Sequence, residues 1–343
     1  MAELVLPCQI GNFRCERLLG KGGMGEVYAA VEDITSRDVA LKLMAPELAN
    51  DAHGLKRFRR EVQLIAQLDH PGVPGCAGWG EHEGRQWVAM EQIKGRSLED
   101  MLVGGKKLPE EQALHLMHQT ALVLDYCYRT VGMVHRDIKP GNLMLLSQSG
   151  QVDDVSSIKL IDYGLALFLD IADGENFGEV RINTGVHNPD DISGTPAYMS
   201  PEQIRGDALD FHSDVYALGV MLYRFATGQL PYDHAELRPL LQLHLEAPIP
   251  DAGRLTPLGA STVLLIQRCM AKQPQARFRS YAQFLSMVDA ALIEARARAR
   301  RGDDRNTARR LSAIVAPPPS GSGWRRPVIQ PPTEKFEKPP EGA

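Results

Sequence analysis

Val134 to Leu146 reads VHRDIKPGNLMLL, and within six residues it sets a carboxylate (Asp137), an ammonium (Lys139) and an amide (Asn142) between apolar runs that can anchor in a core. Pro140 and Gly141 forbid a continuing helix or regular strand, so these groups sit on an irregular turn between Met133-Val134 and the strand-like Leu143 to Leu146. A carboxylate that takes a proton from a hydroxyl, and an amide that holds a metal through its oxygen, both suit a rigid turn. So does a polar loop whose side chains merely satisfy one another. The flanking sequence has to decide.

Upstream, strand-like runs cover Phe13 to Leu19, Glu26 to Glu32 and Asp38 to Met44. Between the first two lies GKGGMG, with Gly20, Gly22 and Gly25 in a G-x-G-x-x-G arrangement. Dinucleotide folds use that pattern between a strand and a helix. Here Val27, Tyr28, Ala30 and Val31 continue as a second strand, and a glycine-rich hairpin can bring backbone N–H groups over phosphates. A flexible hairpin tip is the plainer alternative. Ala40 and Lys42 share one face of the next strand, and Leu55 to Leu68 has helical spacing with Glu61 beside its buried stripe. That carboxylate either pairs with Lys42 or reaches water. Two further strands fall around Cys76 to Gly80 and Trp87 to Glu91, and the polar EQIKG after Met90 reads as a connector whose extended backbone at Glu91 to Ile93 could bond an adenine edge.

Downstream of an amphipathic helix from Glu110 to Tyr128 and of the opening stretch, a strand at Ile158 to Ile161 ends in Asp162-Tyr163-Gly164. A carboxylate at a strand end is well placed for a hard cation, and Asp162 with Asn142 would form the metal pair, leaving Asp137 as base. Residues 165–193 lack periodicity and read as a long functional or disordered loop. It closes on GTPAYMSPE, Gly194 to Glu202. Asp214 to Tyr223 (DVYALGVMLY) is apolar on nearly every face, as a central buried helix should be, with Ser213 as its expected N-cap. Further helices are expected near Leu237 to Leu245, Ser261 to Ala271 and Tyr281 to Ala299, the Ala/Arg-rich end of the last being a solvated face. His115 and His118, at i and i+3, read as ordinary helix residues.

The 343 residues favour roughly two or three units. The net charge of -5 is uneven: eleven Lys/Arg oppose six Asp/Glu from Glu294 onward, leaving -10 on residues 1–293. An acidic body with a weakly basic tail lacks the concentrated positive face of a nucleic-acid binder. Five scattered cysteines read as reduced thiols of a cytoplasmic protein. MAELVLPCQI has no signal-peptide character, and no window of about 18 apolar residues encodes a membrane span. Residues 316–343 hold eight prolines and read as a disordered tail.

Together, GKGGMGEVY, VALK, HRDIKPGN, DYG, GTPAYMSPE and the later Asp214 and Arg277 resemble the eukaryotic-like serine/threonine protein kinases, most of all their bacterial branch, over roughly residues 10–290. The resemblance implies an α+β, bilobal kinase fold: a small antiparallel β lobe plus one helix, and a larger, mainly helical lobe. It divides the chain into an N-terminal extension (1–9), small lobe (10–90), hinge (91–93), large lobe (94–290) with activation segment 162–202, a basic helical extension (291–315) and the tail. It implies ATP and Mg²⁺. Leu19, Gly20, Gly22, Gly25, Val27, Ala40, Lys42, Glu61, Glu91, Ile93 and Met144 would serve the nucleotide, with Lys42 on the phosphates and paired to Glu61. Asp137 would be the base, Lys139 would stabilise the transferring phosphoryl, and Asn142 and Asp162 would hold the metal.

Lys139 and Thr195 match the serine/threonine pattern, and by the same resemblance Glu202 pairs with Arg277 while Asp214 braces the backbone at His135 and Arg136. Tyr163 replaces the commoner phenylalanine, Gln273 stands where many members have aspartate, and the activation segment is longer than usual. Arg136 implies a phosphate acceptor in that segment, with Thr184 and Ser193 the first candidates. Protein substrates follow as partners, with homodimerisation through the small lobe expected by analogy. The alternative is a nucleotide-binding pseudokinase scaffold, which loss of Lys42, Asp137, Asn142 or Asp162 would favour. All four are present.

Overall fold

Residues 8–44 and 76–91 carry the period-two alternation of half-buried strands, and they form one six-stranded antiparallel sheet. Its strands are β1 (Cys8–Ile10), β2 (Phe13–Gly22), β3 (Gly25–Glu32), β4 (Asp38–Met44), β5 (Cys76–His82) and β6 (Arg85–Glu91), in the order β1-β2-β3-β4-β6-β5. The computed structural model describes residues 5–22, 25–45, 62–146, 158–162, 167–168 and 195–301. These fall into two compact units, the sheet being one and residues 62–74 with 92–301 the other. Glu61, Tyr163, Gly164, Thr184, Ser193, most of the activation segment and the Pro-rich tail lie outside the described residues.

In the strand unit, Ile10, Phe13, Cys15, Val39, Leu41 and Leu43 gather on one face around Trp87, whose ring meets the edge of Phe13 at 5.4 Å. Two irregularities in the β2–β3 register, between Cys15 and Arg17 and between Leu18 and Gly20, bend the hairpin. Its third motif glycine has a steric reason to be one. Gly25 pairs with Gly22 and Met44 at φ 140°, and a Cβ there would overlap the carbonyl oxygen of Leu43.

The second unit is built on helices. α1 (Leu98–Met101) follows β7 (Gly95–Ser97) and opens on a reciprocal cap between Ser97 and Asp100. α2 (Glu110–Val131) starts after Pro109 and stops at Gly132, whose φ of 65° ends the helix in a left-handed turn. Short strands β8 (Met133–Val134), β9 (Leu143–Leu146), β10 (Ile158–Leu160) and β11 (Leu167–Phe168) follow, β9 lying between β10 and β7, and β11 pairing with β8. Then come α3 (Pro201–Arg205), α4 (Phe211–Thr227), α5 (Leu237–Glu246), α6 (Ala260–Cys269) and α7 (Tyr281–Arg301). Of the helix expected over Leu55 to Leu68, residues 62–65 are described as helical, and Ile65 and Leu68 join the core of this second unit.

α4 is the central element, with 14 of its 17 residues buried. Its N-cap is not Ser213 but Asp210, whose Oδ1 accepts from His212 N at 2.9 Å. The helix starts at Phe211, which turns Ser213 inward, and there its hydroxyl donates to Glu202 at 2.9 Å. Gly219, midway along α4, lies so close to α6 that a Cβ would come 2.5 Å from that of Cys269.

The Ala/Arg-rich end of α7 is not simply a solvated face. Val288, Ala291, Leu292 and Ala295 are buried in the main core. On the next face Glu294 accepts from the N–H groups of Ala260 and Ser261 at 2.9 and 2.8 Å, capping a helix whose N-cap residue, Gly259, offers no side chain. Arg296 bonds Glu111 at 2.7 Å and Arg298 bonds Glu110 at 2.7 Å, so the last turns of α7 strap the first turn of α2. Burial of these four side chains is worth on the order of 5 kcal/mol, a large part of a domain's stability. A chain cut after Met287 should therefore lose most of its urea resistance, whereas one cut after Arg301 should keep it. Equal urea midpoints for the two would contradict this packing.

Candidate active site

β8 leads the chain out of the core with Met133 and Val134 buried, and the next two peptides are held by a single side chain. Asp214, in the first turn of α4 and 1% exposed, accepts from His135 N at 2.9 Å through Oδ2 and from Arg136 N at 2.8 Å through Oδ1. Arg136 can then take φ 69°, a conformation that a non-glycine residue adopts only when its surroundings over-determine it. Burial pushes the Asp214 carboxyl up to about 6 against the pull of the two N–H bonds and the Tyr281 hydroxyl, so at neutral pH it is ionised and both oxygens accept. His135 is buried beneath the turn, where burial holds its imidazole below the usual range and the backbone of Ile161 meets its side chain.

The polar side chains of the turn follow directly. Lys139 Nζ donates to Asp137 Oδ2 at 2.7 Å, and Asn142 Nδ2 donates to the same oxygen at 3.0 Å and to the Asp137 carbonyl at 2.8 Å. Pro140 opens a 3₁₀ turn that ends at Asn142, fixing the spacing of the three side chains. With its amide nitrogen committed to Asp137, Asn142 presents Oδ1 as its acceptor end. The carbonyl of Asn142 also accepts from Ile161 N at 2.8 Å, which draws the start of Asp162 alongside, since Leu143 and Leu160 are register partners on β9 and β10. Asp162 itself has φ 62°. The turn therefore brings together Asp137, Lys139, Asn142 and Asp162 within one unit, with Met144 half-buried on β9 and Ile93 half-buried before β7.

The segment that begins at Thr195 is moored to this turn. Thr195 Oγ1 accepts from Lys139 Nζ at 2.7 Å, and Gln203 Nε2 donates to the Arg136 carbonyl at 2.8 Å. Behind it Glu202 and Arg277 form a buried, two-pronged ion pair with contacts of 2.6 and 2.9 Å. Arg277 also donates to the carbonyls of Ala271 and His212, and its guanidinium lies over the Tyr216 ring. Burial alone would raise the Glu202 carboxyl, but Arg277 and the Ser213 hydroxyl hold it below its ordinary value.

The other expected site residues sit in the strand unit. Val27 faces Lys42 across β3 and β4, and Ala40 shares that face. All three are half-buried, opposite the fully buried Val39, Leu41 and Leu43. Leu19 and Gly20 are exposed on β2, and Gly22 and Gly25 close the hairpin. Glu91 ends β6, its N–H bonded to the Gly75 carbonyl at 2.8 Å. Two participants were not anticipated, Arg224 at the end of α4 and Glu99 on α1. An arginine closing an otherwise apolar helix was the available signal.

The protein kinase domain family matches residues 13–287. Among curated relatives, the serine/threonine-protein kinase PrkC of Bacillus subtilis is 32% identical over 271 residues, 79% of this chain and 39% of PrkC. PknJ of Mycobacterium tuberculosis is 34% identical over 293 residues, 84% of this chain and 47% of PknJ. The chain thus spans less than half the length of these relatives. The crystal structure of the Mycobacterium tuberculosis PknI kinase domain superposes with a TM-score of 0.62 at 25% identity, covering 84% of this chain and all of that one.

Breaking the Glu202–Arg277 pair from one side leaves a buried charge uncompensated, so Arg277→Met should lower unfolding stability by about 3–5 kcal/mol. Because the Glu202 carboxyl is held down in the folded state, the pair's contribution is present above the ordinary value of 4.5 and lost as pH falls below it. The difference in denaturant midpoint between wild type and Arg277→Met should accordingly shrink on acidification. A constant difference from pH 7 to 3 would count against it.

Proposed function

The chain belongs to the protein kinase domain family, and from that premise we propose that it is a serine/threonine protein kinase, transferring the γ-phosphoryl group of ATP to hydroxyls of protein substrates. One observation supports this above the rest: the Lys139 ammonium and the Asn142 amide meet on the carboxylate oxygen Oδ2 of Asp137, on a turn whose backbone is locked by Asp214. Since both polar neighbours converge on Oδ2, Oδ1 is the oxygen to receive the proton of an acceptor hydroxyl. As that proton leaves, the hydroxyl oxygen bonds to the γ-phosphorus, the bond from γ-phosphorus to the bridging oxygen breaks, and ADP departs. Lys139 lies close enough to the base to neutralise charge on the phosphoryl in passage. Its second bond, to Thr195, ties proton acceptance to the segment that receives the substrate chain and favours serine or threonine acceptors.

On this reading Gly20, Gly22 and Gly25 cover the phosphates, Leu19, Val27, Ala40 and Met144 pack on adenine, Glu91 and Ile93 supply backbone hydrogen bonds, and Lys42 binds the α- and β-phosphates with Glu61 as its partner. Asn142 and Asp162 fit a hard divalent cation, since both offer oxygen, and the backbone bond from Ile161 N to the Asn142 carbonyl supports that pairing. Bound there, Mg²⁺ would supply charge neutralisation for the phosphates.

A phosphate on Thr184 or Ser193 would be received by Arg136. All five cysteines are free thiols, which supports a reducing, cytoplasmic setting, and no described helix is long and apolar enough to cross a membrane. Homodimerisation through the small lobe rests on the family resemblance alone.

Purified protein with labelled ATP, Mg²⁺ and myelin basic protein should transfer label to serine and threonine, and Asp137→Asn should cut that transfer by about 100-fold or more. Equal labelling by the two would remove Asp137 as base. The pH profile offers a second test. Below about pH 6 Asp214 takes up a proton and can no longer accept both N–H groups, so kcat should fall on an acidic limb near 6. The sign for stability is opposite: with a folded pKa above the ordinary 3.8, this group's contribution is present at low pH and lost as pH rises through about 6. Activity should therefore decline between pH 7 and 5.5 without a matching fall in melting temperature. A limb that tracks unfolding would contradict the assignment.

A further inference from the structure

The segment from Thr195 to Gln203 meets the catalytic turn at two points, Thr195 through Lys139 and Gln203 through the Arg136 carbonyl. Midway between them a third attachment leads elsewhere. Tyr198, buried, ends the 3₁₀ turn that starts at Pro196, its N–H bonded to the Thr195 carbonyl at 3.0 Å. Its hydroxyl accepts from Arg224 Nη1 at 2.6 Å. The same guanidinium grips Glu99 with both prongs, Nη1 to Oε2 at 2.8 Å and Nη2 to Oε1 at 2.5 Å. Arg224 stands on the last turn of α4, whose first turn carries Asp214, and Glu99 stands on α1, behind the β7 strand that pairs with β9.

We propose that Arg224, locked by Glu99, is a positioning residue for the protein acceptor: it fixes Tyr198, and with it Thr195, at the height from which a substrate hydroxyl reaches Asp137. This deepens the kinase reading and rests on it. The two ends of one helix would then serve the two sides of the reaction centre, Asp214 the base and Arg224 the acceptor segment. The choice of arginine follows from the geometry. Three acceptor oxygens, one phenolic and two of a carboxylate, are met by a planar fork, and an ammonium on a flexible stem could not hold all three in one plane. The exposures agree with a mounting rather than a solvated pair. The Arg224 side chain is only 18% exposed, whereas that of Glu99 is 46% exposed, so loss of the arginine would strand the buried Tyr198 hydroxyl while the carboxylate turned to water.

These groups bond to one another and to the Thr195–Gln203 segment, so the effect should be confined to the acceptor. In steady-state assays of the full chain with Mg²⁺-ATP and myelin basic protein, Arg224→Ala should raise the acceptor KM about tenfold while the ATP KM moves by less than about twofold. Arg224→Lys should recover only part of the loss. The exchange Glu99→Arg with Arg224→Glu, which restores an ion pair between the same two positions, should return the acceptor KM to within about threefold of wild type. If Arg224→Ala fails to fold, Tyr198→Phe keeps the buried ring and removes only the hydroxyl, and it should raise the acceptor KM alone by about threefold. An unchanged acceptor KM, an equal rise in both KM values, or a fall in kcat alone in these variants would overturn the proposal with the kinase reading intact. Absence of any transfer by the wild-type chain would instead overturn the kinase reading itself.

Discussion

A carboxylate removed from water is costly unless its lone pairs are met, and Asp214 is met by two consecutive backbone N–H groups that have no strand to join. The exchange works in both directions. The peptides at His135 and Arg136 would be orphan donors without it, and the carboxylate would be an uncompensated charge without them. Because both oxygens are engaged, the turn has one position relative to α4, and Arg136 is kept at a positive φ that it would otherwise leave. Everything polar in the site is then a short step along the chain. Asp137 comes next, Lys139 and Asn142 fold back on it through the Pro140 turn, and Asn142 gathers Ile161 and Asp162.

The second constraint, the Glu202–Arg277 pair, works on a longer reach. It joins residues 75 apart in sequence, in a place where neither side chain meets solvent. Replacing such a pair with well-packed apolar groups is often neutral, whereas removing one partner strands a buried charge. Arg277 bonds two carbonyls besides the carboxylate, so α3, the start of α4 and the turn before α7 have a single arrangement in which all donors are satisfied. The segment from Thr195 to Gln203 is mounted on that frame. Its contacts with Lys139, Arg136 and Arg224 then give it fixed geometry beside Asp137.

Much of this was legible in the sequence. The alternation in residues 13–44 and 76–91 gave the strands, the apolar run from Asp214 to Tyr223 gave the central helix, and the glycine hairpin was recognised from spacing. The missing parts share a physical cause. Helix starts depend on which polar residue faces the free N–H groups, and Asp210 outcompeted Ser213 because Ser213 had a buried partner of its own. The capping of α6 by Glu294 and the gripping of Tyr198 by Arg224 join elements tens of residues apart, and no local period announces such contacts. The arginines of α7 looked solvated because periodicity reports a face, not what stands opposite to it.

Gly219 carries one more implication. A glycine inside a helix costs about 1 kcal/mol relative to alanine, and here it permits α4 to lie against Cys269 and Met270 with no side chain between them. Asp214 rides on the same rigid rod five residues earlier. The missing methyl group thus sets a mechanical tolerance: wedging the two helices apart would tilt the rod, and a tilt too small to disturb the fold would still carry the carboxylate away from the peptides it steadies. A machinist would call that contact the datum surface from which the part is cut.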